Sequence, residues 1–177
     1  MISVITGIYY NIFWHIILIM ECREYCSEDY SSLKEMLNGL QNFFVGMDDE
    51  YRRFDKNVLR EYLGKIISDV EKMDGKIFLA LKDGRIVGFI QGVIIEKNDL
   101  QYRPCREGWI GLLFVEDKSR RSNVGKNLIN KMRDYFRAKG CDCVKLFCSN
   151  QNTNAINFYQ EYGFTTSNLE LKLDIKK

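Results

Sequence analysis

The sequence predicts one mixed α/β domain in which helices flank a central sheet. Its 177 residues are enough for a single domain with a sizeable hydrophobic core. Apolar residues recur at strand spacing in some stretches and at helical spacing in others. Their order is strand, two helices, three strands, helix, strand, helix, strand. No internal repeat, low-complexity tract or linker interrupts this order, so we expect the chain to fold as one unit.

Short apolar runs bounded by turn residues mark the strands. A first strand is expected from Met20, on the segment Met-Glu-Cys-Arg-Glu-Tyr, by resemblance to the family identified below rather than from an apolar run. The tripeptide Lys82-Asp83-Gly84 separates the second and third runs and has the composition of a tight hairpin turn. The strands predicted after the first one are 76–81, 85–96, 108–115, 143–148 and 169–175.

Apolar residues at helical spacing mark the helices. Residues 27–29, Ser-Glu-Asp, place a capping side chain and two acids at the start of the first helix. The chain is expected to leave that helix at Asn42 for a loop that extends to Tyr51, and Gly140 ends the third helix. The apolar stripes of the first three helices are Tyr30, Leu33, Leu37 and Leu40, then Val58, Leu59, Tyr62, Ile66 and Val70, then Leu128, Ile129, Met132, Tyr135 and Phe136.

Composition excludes several classes of protein. Hydrophobic residues make up 46% of the chain and charged residues 28%, and the net charge of +2 gives no general reason to expect a nucleic-acid or membrane partner. The six cysteines form no Cys-x-x-Cys pair, and the nearest couple, Cys141 and Cys143, has no histidine close to it, so we expect no metal site. Cysteines scattered in or beside apolar runs indicate a reducing compartment, and we expect a cytoplasmic protein.

The single histidine, His15, limits the chemistry that the chain can perform. It lies within the first twenty residues, and a Ser-His-Asp or Cys-His mechanism elsewhere would have to recruit it from there. We expect no such mechanism, which leaves tyrosine, carboxylates, backbone amides and water. Cys148 ends a predicted strand, and we prefer packing to a nucleophilic role for its thiol.

Residues 1–19 differ in character from the rest of the chain. The stretch 8–19 is almost entirely apolar or aromatic, but Asn11 and His15 interrupt it, and it is short for a membrane-spanning helix. It has neither the basic start nor the small-residue cleavage site of a secretory signal. We expect residues 20–177 to form the domain and residues 1–19 to be an upstream extension. The alternative is a genuine element that mediates packing or membrane contact.

The stretch 115–126 combines the end of a strand, a basic turn and the start of a helix. Backbone N–H groups at such a turn point outward unpaired, and the helix dipole adds positive potential, which suits phosphate binding. Arg120 and Arg121 would add charge-assisted donors. Gly125 would let a phosphate approach the backbone without meeting a Cβ, and Asn123 is a residue type that tolerates a left-handed conformation. Taken alone, the stretch is equally compatible with a solvated basic turn.

A second segment, 152–164, has the pattern of a short helix closed by Gly163. Together the two segments resemble the signature motifs of the GNAT superfamily of N-acetyltransferases, in the same order and at a similar separation. Arg120, Asn123 and Gly125 match the family's phosphate loop, with Asn123 as the one departure because the family has glycine there. The later motif of the family is matched by Asn152, Ala155, Phe158, Tyr159, Gly163 and Phe164.

The resemblance covers roughly residues 20–177 and implies a GNAT-like fold, with a mixed, mostly antiparallel central sheet flanked by helices. It implies an N-acetyltransferase that moves an acetyl group from acetyl-CoA, its cosubstrate, to a primary amine by direct attack in a ternary complex. The loop would hold the pyrophosphate, and the strand before it the pantetheine arm. The binding residues implied for acetyl-CoA are Leu113, Phe114, Val115, Arg120, Arg121, Ser122, Asn123, Val124, Gly125, Lys126, Asn152, Asn154 and Tyr159.

By the same resemblance, Tyr159 matches the family's usual general acid, which protonates the leaving thiolate; a tyrosine that merely packs in the core is the alternative. Many family members carry an acid within the central strand, but Gly111 and Leu112 occupy that place here. Glu107 is the candidate base, and Asp48, Asp49 or Glu50 of the loop after the first helix are alternatives. Glu107 is weighed against a solvated strand-edge glutamate and against a water chain that ends on a more distant carboxylate. Helix capping is the alternative to acetyl-CoA binding for both asparagines, and it is preferred for Asn154.

The acceptor is expected to be an amine of a small molecule or of a peptide. Phe43, Phe44, Asp48 and Asp49 follow the first helix, and their aromatic and acidic side chains suit a cationic amine and, equally, an ordinary exposed loop. A homodimer is left open by analogy with similar proteins. Two other functions are considered, a catalytically weak acyl-CoA sensor or regulatory module and a nucleic-acid binder. The basic residues lack interleaved aromatics, so we expect neither nucleic acid nor a membrane as a partner.

Overall fold

The computed structural model describes residues 20–47, 55–98, 100, 103–173 and 175. The expected extension 1–19 and the expected substrate residues Asp48 and Asp49 lie outside the described residues. The elements, in chain order, are β1 (Met20–Glu24), α1 (Tyr30–Met47), α2 (Lys56–Lys72), β2 (Lys76–Lys82), β3 (Arg85–Lys97), β4 (Cys105–Val115), α3 (Val124–Ala138), β5 (Cys143–Leu146) and α4 (Thr153–Tyr162).

The five strands form one sheet in the order β1-β2-β3-β4-β5. The first four strands pair as antiparallel neighbours, whereas β4 and β5 are parallel, with α3 as the crossover between them. The predicted mixed, mostly antiparallel sheet flanked by helices is therefore confirmed. Asp83 and Gly84 both have positive φ, 52° and 76°, as a two-residue hairpin turn requires, so the turn signal between β2 and β3 is confirmed as well.

The sheet separates two hydrophobic clusters. On one face α1 and α2 bury Leu37 and Leu63 against Phe89 of β3. On the other face α3 buries Met132 against Ile90, and α4 adds partly buried aromatic side chains to the same cluster. Each side chain of β4 and β5 therefore faces either the side of the sheet that carries α1 and α2 or the side that carries α3 and α4. Among the described residues, no helix combines the length and the apolar character needed to cross a membrane.

The first helix is longer than predicted. Instead of giving way to a loop at Asn42, α1 continues to Met47. The reason is that Phe44, seven residues after Leu37, extends the apolar stripe and packs against the buried cluster on that face. Asn42 and Gly46 are poor helix formers, but the packing of the stripe outweighs their local preference.

The predicted final strand is absent, since the described residues of 169–175 form no strand. Leu169, Leu171 and Leu173 alternate as the residues of a strand would, but they are 80%, 84% and 87% exposed. Alternation expresses only a local preference, and a strand forms when a partner edge accepts its hydrogen bonds.

Candidate active site

The sheet opens where β4 loses its second neighbour. Pairing between β4 and β5 runs only from Glu107–Cys143 to Ile110–Leu146, where β5 ends. Gly111 is skipped in the pairing of β4 with β3, so the strand has a bulge directly after the last β4–β5 pair. The half of β4 that follows the bulge therefore has, within the described part of the chain, a strand partner on its β3 edge alone.

The peptide groups of this half of β4 alternate between the two edges. The N–H of Glu116 donates to the carbonyl of Val87 in β3. By strand alternation, Phe114 also directs its peptide groups to β3, whereas Leu113 and Val115 direct theirs to the open edge. Of the three residues expected to hold the pantetheine arm through their backbone, the geometry thus favours Leu113 and Val115 over Phe114.

The turn after β4 presents unpaired peptide donors. Asn123 has a left-handed conformation, with φ of 64°, immediately before the start of α3. The first helical bond of α3 runs from the N–H of Asn127 to the carbonyl of Asn123. In the described part of the chain, the N–H groups of residues 121–126 donate to no carbonyl, so an array of free donors stands at the positive end of the helix dipole.

Two side chains of the turn shape it from within. The hydroxyl of Ser122 donates to the carbonyl of Ser119 at 2.7 Å. The side chain of Val124 is 1% exposed in the cluster beneath α3. The side chains of Ser122 and Val124 therefore hold the turn in place. Only the peptide N–H groups of these two residues are available to bind an anion.

The cations of the turn differ in how far they are engaged. Arg120 donates through Nε to the carbonyl of Val115 at 3.1 Å and forms an ion pair with Asp117 at 2.8 Å. Arg121 and Lys126 are exposed. Arg120 thus fastens the turn to the end of β4, while the other two side chains extend into solvent where an anion would approach.

Gly125 has a steric role that was not predicted from the sequence. A Cβ built at this residue would lie 3.0 Å from Cζ of Phe158, the aromatic side chain of α4 that packs there. The missing side chain makes room for this ring, and the approach of a phosphate to the backbone of Gly125 stays a prediction. Gly125 thereby lets α4 approach the first turn of α3, which brings the two motifs of the sequence into contact.

Of the two asparagines at the start of α4, Asn152 rather than Asn154 caps the helix. The side chain of Asn152 accepts a hydrogen bond from the N–H of Ala155 at 3.2 Å, so Asn152 is the helix cap. Capping had been preferred for Asn154, which instead is exposed on the first turn. At the other end Gly163, with φ of 115°, closes α4 as predicted.

A groove of about 430 Å³ lies between the end of α1 and the start of α4. The ring of Phe43 lines the groove and lies 5.6 Å from the guanidinium carbon of Arg120, so the groove borders the phosphate-loop candidate. Phe44, in contrast, packs toward the core. The lining residues comprise Asn42, Phe43, Gly46, Met47, Gln151, Asn152, Thr153 and Asn154. The lining residues that were not predicted are Asn42, Gly46, Met47, Gln151 and Thr153, because nothing in their residue types points to binding.

Tyr159 has a partly buried ring and an unpartnered hydroxyl. Its ring lies 5.4 Å from that of Phe158 and 5.6 Å from that of Phe164, measured between centroids. Its hydroxyl has no hydrogen-bond partner among the described residues, and the hydroxyl oxygen is not completely buried. Burial, with a smaller effect from Cys148, raises the pKa of Tyr159 well above its ordinary value. The phenol is therefore protonated at neutral pH.

Burial likewise raises the pKa of the Cys148 thiol. The thiolate, which is the reactive form of cysteine, is thereby disfavoured. The structure supports the preferred interpretation of this residue as a packing residue.

Glu107 is buried and fully engaged. It is 3% exposed, so the alternative of a solvated strand-edge glutamate is wrong. It accepts hydrogen bonds from Nζ of Lys145 at 2.5 Å and from Nε1 of Trp109 at 3.0 Å. Burial alone would raise the pKa of Glu107, but these two bonds together with the positive charges of Lys145 and Lys97 outweigh it and hold the pKa below its ordinary value. A carboxylate held in this way is ionised but is a weak proton acceptor.

Three comparisons place this geometry among known proteins. The sequence model of the Acetyltransferase (GNAT) family matches residues 33–164. N-alpha-acetyltransferase 30 of Homo sapiens is 34% identical over 73 residues, which span 41% of this chain and only 20% of the human protein. A Trypanosoma brucei acetyltransferase superposes with a TM-score of 0.63 at 25% identity, covering 89% of this chain and 100% of that one.

A fourth likeness concerns the fold alone. An aminoglycoside N-acetyltransferase, solved with a CoA-linked bisubstrate analogue, superposes with a TM-score of 0.69 at 18% identity, over 90% of this chain and 99% of that one. The family match extends from within α1 past the end of α4, and so includes the opening in the sheet, the turn before α3 and Tyr159. The chain belongs to the acetyltransferase (GNAT) family.

Proposed function

We propose that this protein is an acetyl-CoA-dependent N-acetyltransferase that moves an acetyl group to a primary amine by direct attack in a ternary complex. The observation that carries the proposal is the array of unpaired N–H groups at residues 121–126, placed directly after the open edge of β4. A diphosphate fits the first feature and an extended amide-containing arm the second, and CoA contains both in this order.

In this proposal the turn holds the pyrophosphate through its peptide donors, with Arg121 and Lys126 adding charge. Leu113 and Val115 offer peptide groups to the pantetheine arm in the manner of a neighbouring strand. An N–H of this edge also lies in a position to polarise the thioester carbonyl, and such a donor is typically worth roughly 3–4 kcal/mol in the transition state. Asn154, exposed at the start of α4, contributes to acetyl-CoA binding at the rim of the groove.

The chemical step transfers the acetyl group directly. The neutral amine forms a bond from nitrogen to the carbonyl carbon, the carbon–sulfur bond breaks, and the electron pair leaves with the sulfur. Tyr159 gives its hydroxyl proton to the departing thiolate and regains a proton from solvent. The hydroxyl is protonated before the step begins, and the raised pKa makes it a weaker acid than an ordinary tyrosine, so the support for this role is the motif position and the unpartnered hydroxyl.

The proton that the amine loses goes to water in our proposal. Glu107 was the candidate base, but its carboxylate is occupied by Lys145 and Trp109 and its pKa is lowered. The half of β4 that is open on one edge, from Gly111 to Val115, contains no acid. Asp48, Asp49 and Glu50, the other carboxylates considered from the sequence, lie outside the described residues, and we propose a water chain that leads away from the opening.

The acceptor is a primary amine, and the name of the human relative favours the α-amine of a peptide. The aminoglycoside enzyme shares only the fold with this chain, so its substrate carries less weight. Phe43 lines the groove beside Arg120 and is proposed to contact the acceptor or the acyl end of the donor. Phe44 supports α1 from the core side.

A catalytically weak acyl-CoA sensor is the second candidate. The lack of an acid in the open half of β4 favours it, because a sensor needs the binding surface and no base. Retention of Tyr159 with a free hydroxyl favours the enzyme. With acetyl-CoA bound, the enzyme should release CoA when an amine is added, whereas the sensor should not.

Calorimetry with acetyl-CoA, followed by CoA release measured with 5,5′-dithiobis(2-nitrobenzoic acid) across a panel of amines, tests the proposal. We expect saturable binding, and CoA release that depends on an amine. Arg121→Ala should weaken binding roughly tenfold, as loss of a charge-assisted contact does. Arg60→Ala removes the same charge from an exposed position on α2 and should leave binding unchanged. Binding without turnover on any amine would favour the sensor, and no binding would refute both functions.

A further inference from the structure

An aromatic pair stands at the mouth of the opening between β4 and β5. Trp109 pairs with Lys145, one step before the last β4–β5 pair, and Phe147 follows the end of β5. The two rings are 4.9 Å apart between centroids, with 43° between their planes. Phe147 is nevertheless 84% exposed. Because Phe147 lies against Trp109, the exposed ring is part of an apolar surface at the rim of the opening rather than a single scattered residue, and such a surface is a candidate binding site.

The pair lies on the face of the sheet opposite to Tyr159. Gly108 faces α3, because a Cβ there would lie 2.4 Å from the ring of Phe136. By strand alternation Trp109 faces the other way, toward the side that carries α1 and α2. Tyr159 belongs to the cluster on the α3 side. The candidate acid and the aromatic pair thus flank the opening from its two faces, as a leaving group and an incoming acceptor require.

The Trp109 ring is held rigidly. Its Nε1–H donates to Glu107 at 3.0 Å, and Glu107 is itself bound to Lys145 at 2.5 Å and paired with Lys97 at 3.4 Å. Glu107 therefore acts as a positioning residue for the aromatic pair. A surface that is already ordered binds its partner with a smaller loss of conformational entropy.

The charges around the pair disfavour a polycationic acceptor. A cavity of about 350 Å³ adjoins Glu107 and Lys145, and the lining also contains Lys97 and Arg103. Among the described residues of this lining, Glu107 is the only carboxylate, and two lysines already neutralise it. A polyamine or an aminoglycoside would meet like charge here, whereas an acceptor with a single amine and an apolar neighbour would not.

We propose that Trp109 and Phe147 form the acceptor platform, and that the preferred acceptor is the α-amine of a peptide whose first side chain is apolar. The inference rests on the proposed function and adds the class of acceptor. The apolar side chain would lie against Phe147 and shield it from water, while the amine points into the opening.

The test compares peptides that differ only in their first residue, leucine, glycine or lysine, together with spermidine as a polyamine, using the full chain and acetyl-CoA. We expect kcat/KM for the leucyl peptide to exceed that for the glycyl peptide by at least about tenfold, the scale on which apolar contacts discriminate. Phe147→Ala should abolish this ratio, mainly through KM, and should leave the glycyl peptide unaffected.

Leu169→Ala is the matched control, because it also removes an apolar side chain that is 80% exposed, but outside the paired rings. It should keep the preference for leucine, and all three proteins should bind acetyl-CoA equally in calorimetry. An unchanged ratio in Phe147→Ala, or faster acetylation of spermidine or the lysyl peptide, would overturn the platform while CoA release still supports the enzyme. Loss of acetyl-CoA binding in the unmodified chain would refute the proposed function, and the platform with it.

Discussion

Replacing Tyr159 with phenylalanine isolates the role of one hydroxyl group. The ring contacts with Phe158 and Phe164, at 5.4 and 5.6 Å between centroids, are preserved in the variant. The hydroxyl has no hydrogen-bond partner among the described residues, so no bond within the protein is lost. We therefore expect Tyr159→Phe to keep the free energy of unfolding within about 0.5 kcal/mol.

The expected effect on turnover is much larger. Burial holds the pKa of Tyr159 above its ordinary value, so the group carries its proton throughout the neutral pH range. A positioned general acid contributes about 10²–10⁴-fold in rate, which corresponds to roughly 3–5 kcal/mol in the activation free energy. The variant should lose this factor in kcat, while the Kd for acetyl-CoA changes little because the hydroxyl acts on the leaving sulfur.

Tyr162→Phe is the matched control on the same helix. Its hydroxyl donates to Asn130 at 2.7 Å and accepts from Arg133 at 3.1 Å. Removing it should lower the free energy of unfolding by about 1–2 kcal/mol and leave kcat unchanged, the reverse of the expected pattern for Tyr159. The assay is CoA release under saturating acetyl-CoA, with chemical denaturation of each variant. A kcat of Tyr159→Phe within threefold of the unmodified protein would refute the acid role.

Three further changes test the turn, the contact between helices and the ion pair at the start of α1. Asn123→Gly should keep the free energy of unfolding and the affinity for acetyl-CoA, measured by denaturation and calorimetry. Asn123→Ala should lower the free energy of unfolding by about 1 kcal/mol because φ of Asn123 is 64°. Equal stability of the two variants would contradict this. Gly125→Ala should cost about 1–3 kcal/mol through Phe158, and a double-mutant cycle with Phe158→Leu should show coupling; strict additivity would count against the contact. Asp29→Asn should cost about 1–3 kcal/mol, at the lower end because Arg23 is 34% exposed. Hydrogen bonds from Arg23 hold the pKa of Asp29 below its ordinary value, so this contribution is full above about pH 4 and is lost as the pH falls; a variant with unaltered acid denaturation would exclude it.

Local signals in the sequence were sufficient for most of the fold. The hairpin turn at Asp83 and Gly84 and the closure of α4 at Gly163 each depend on a backbone conformation that few residue types adopt. The left-handed conformation of Asn123 likewise agrees with the interpretation of that residue as a substitute for glycine. Errors arose where packing decided the outcome, as in the extension of α1 through Phe44.

The candidate site was only partly predictable because several of its features depend on which strands are neighbours. Lys145 could be matched to Glu107 only by knowing the register of β4 against β5. The same register brings Trp109 to Phe147, which a linear sequence separates by a whole helix. The contact of Gly125 with Phe158 could not be predicted because the ring that approaches it comes from α4.

The open edge of β4 connects the fold to its proposed use. Unpaired peptide groups within a sheet are costly unless water or a ligand satisfies them, and most proteins cover or shorten such edges. Within the part of the chain that the structure describes, the bulge at Gly111 and the end of β5 at Leu146 leave the edge open beside an array of free N–H groups. A cosubstrate with a diphosphate and an amide-bearing arm would complete both the helix start and the strand pairing. Its binding should then protect the amides of Leu113 and Val115 from hydrogen exchange, and by alternation should leave Phe114, already paired with β3, unchanged.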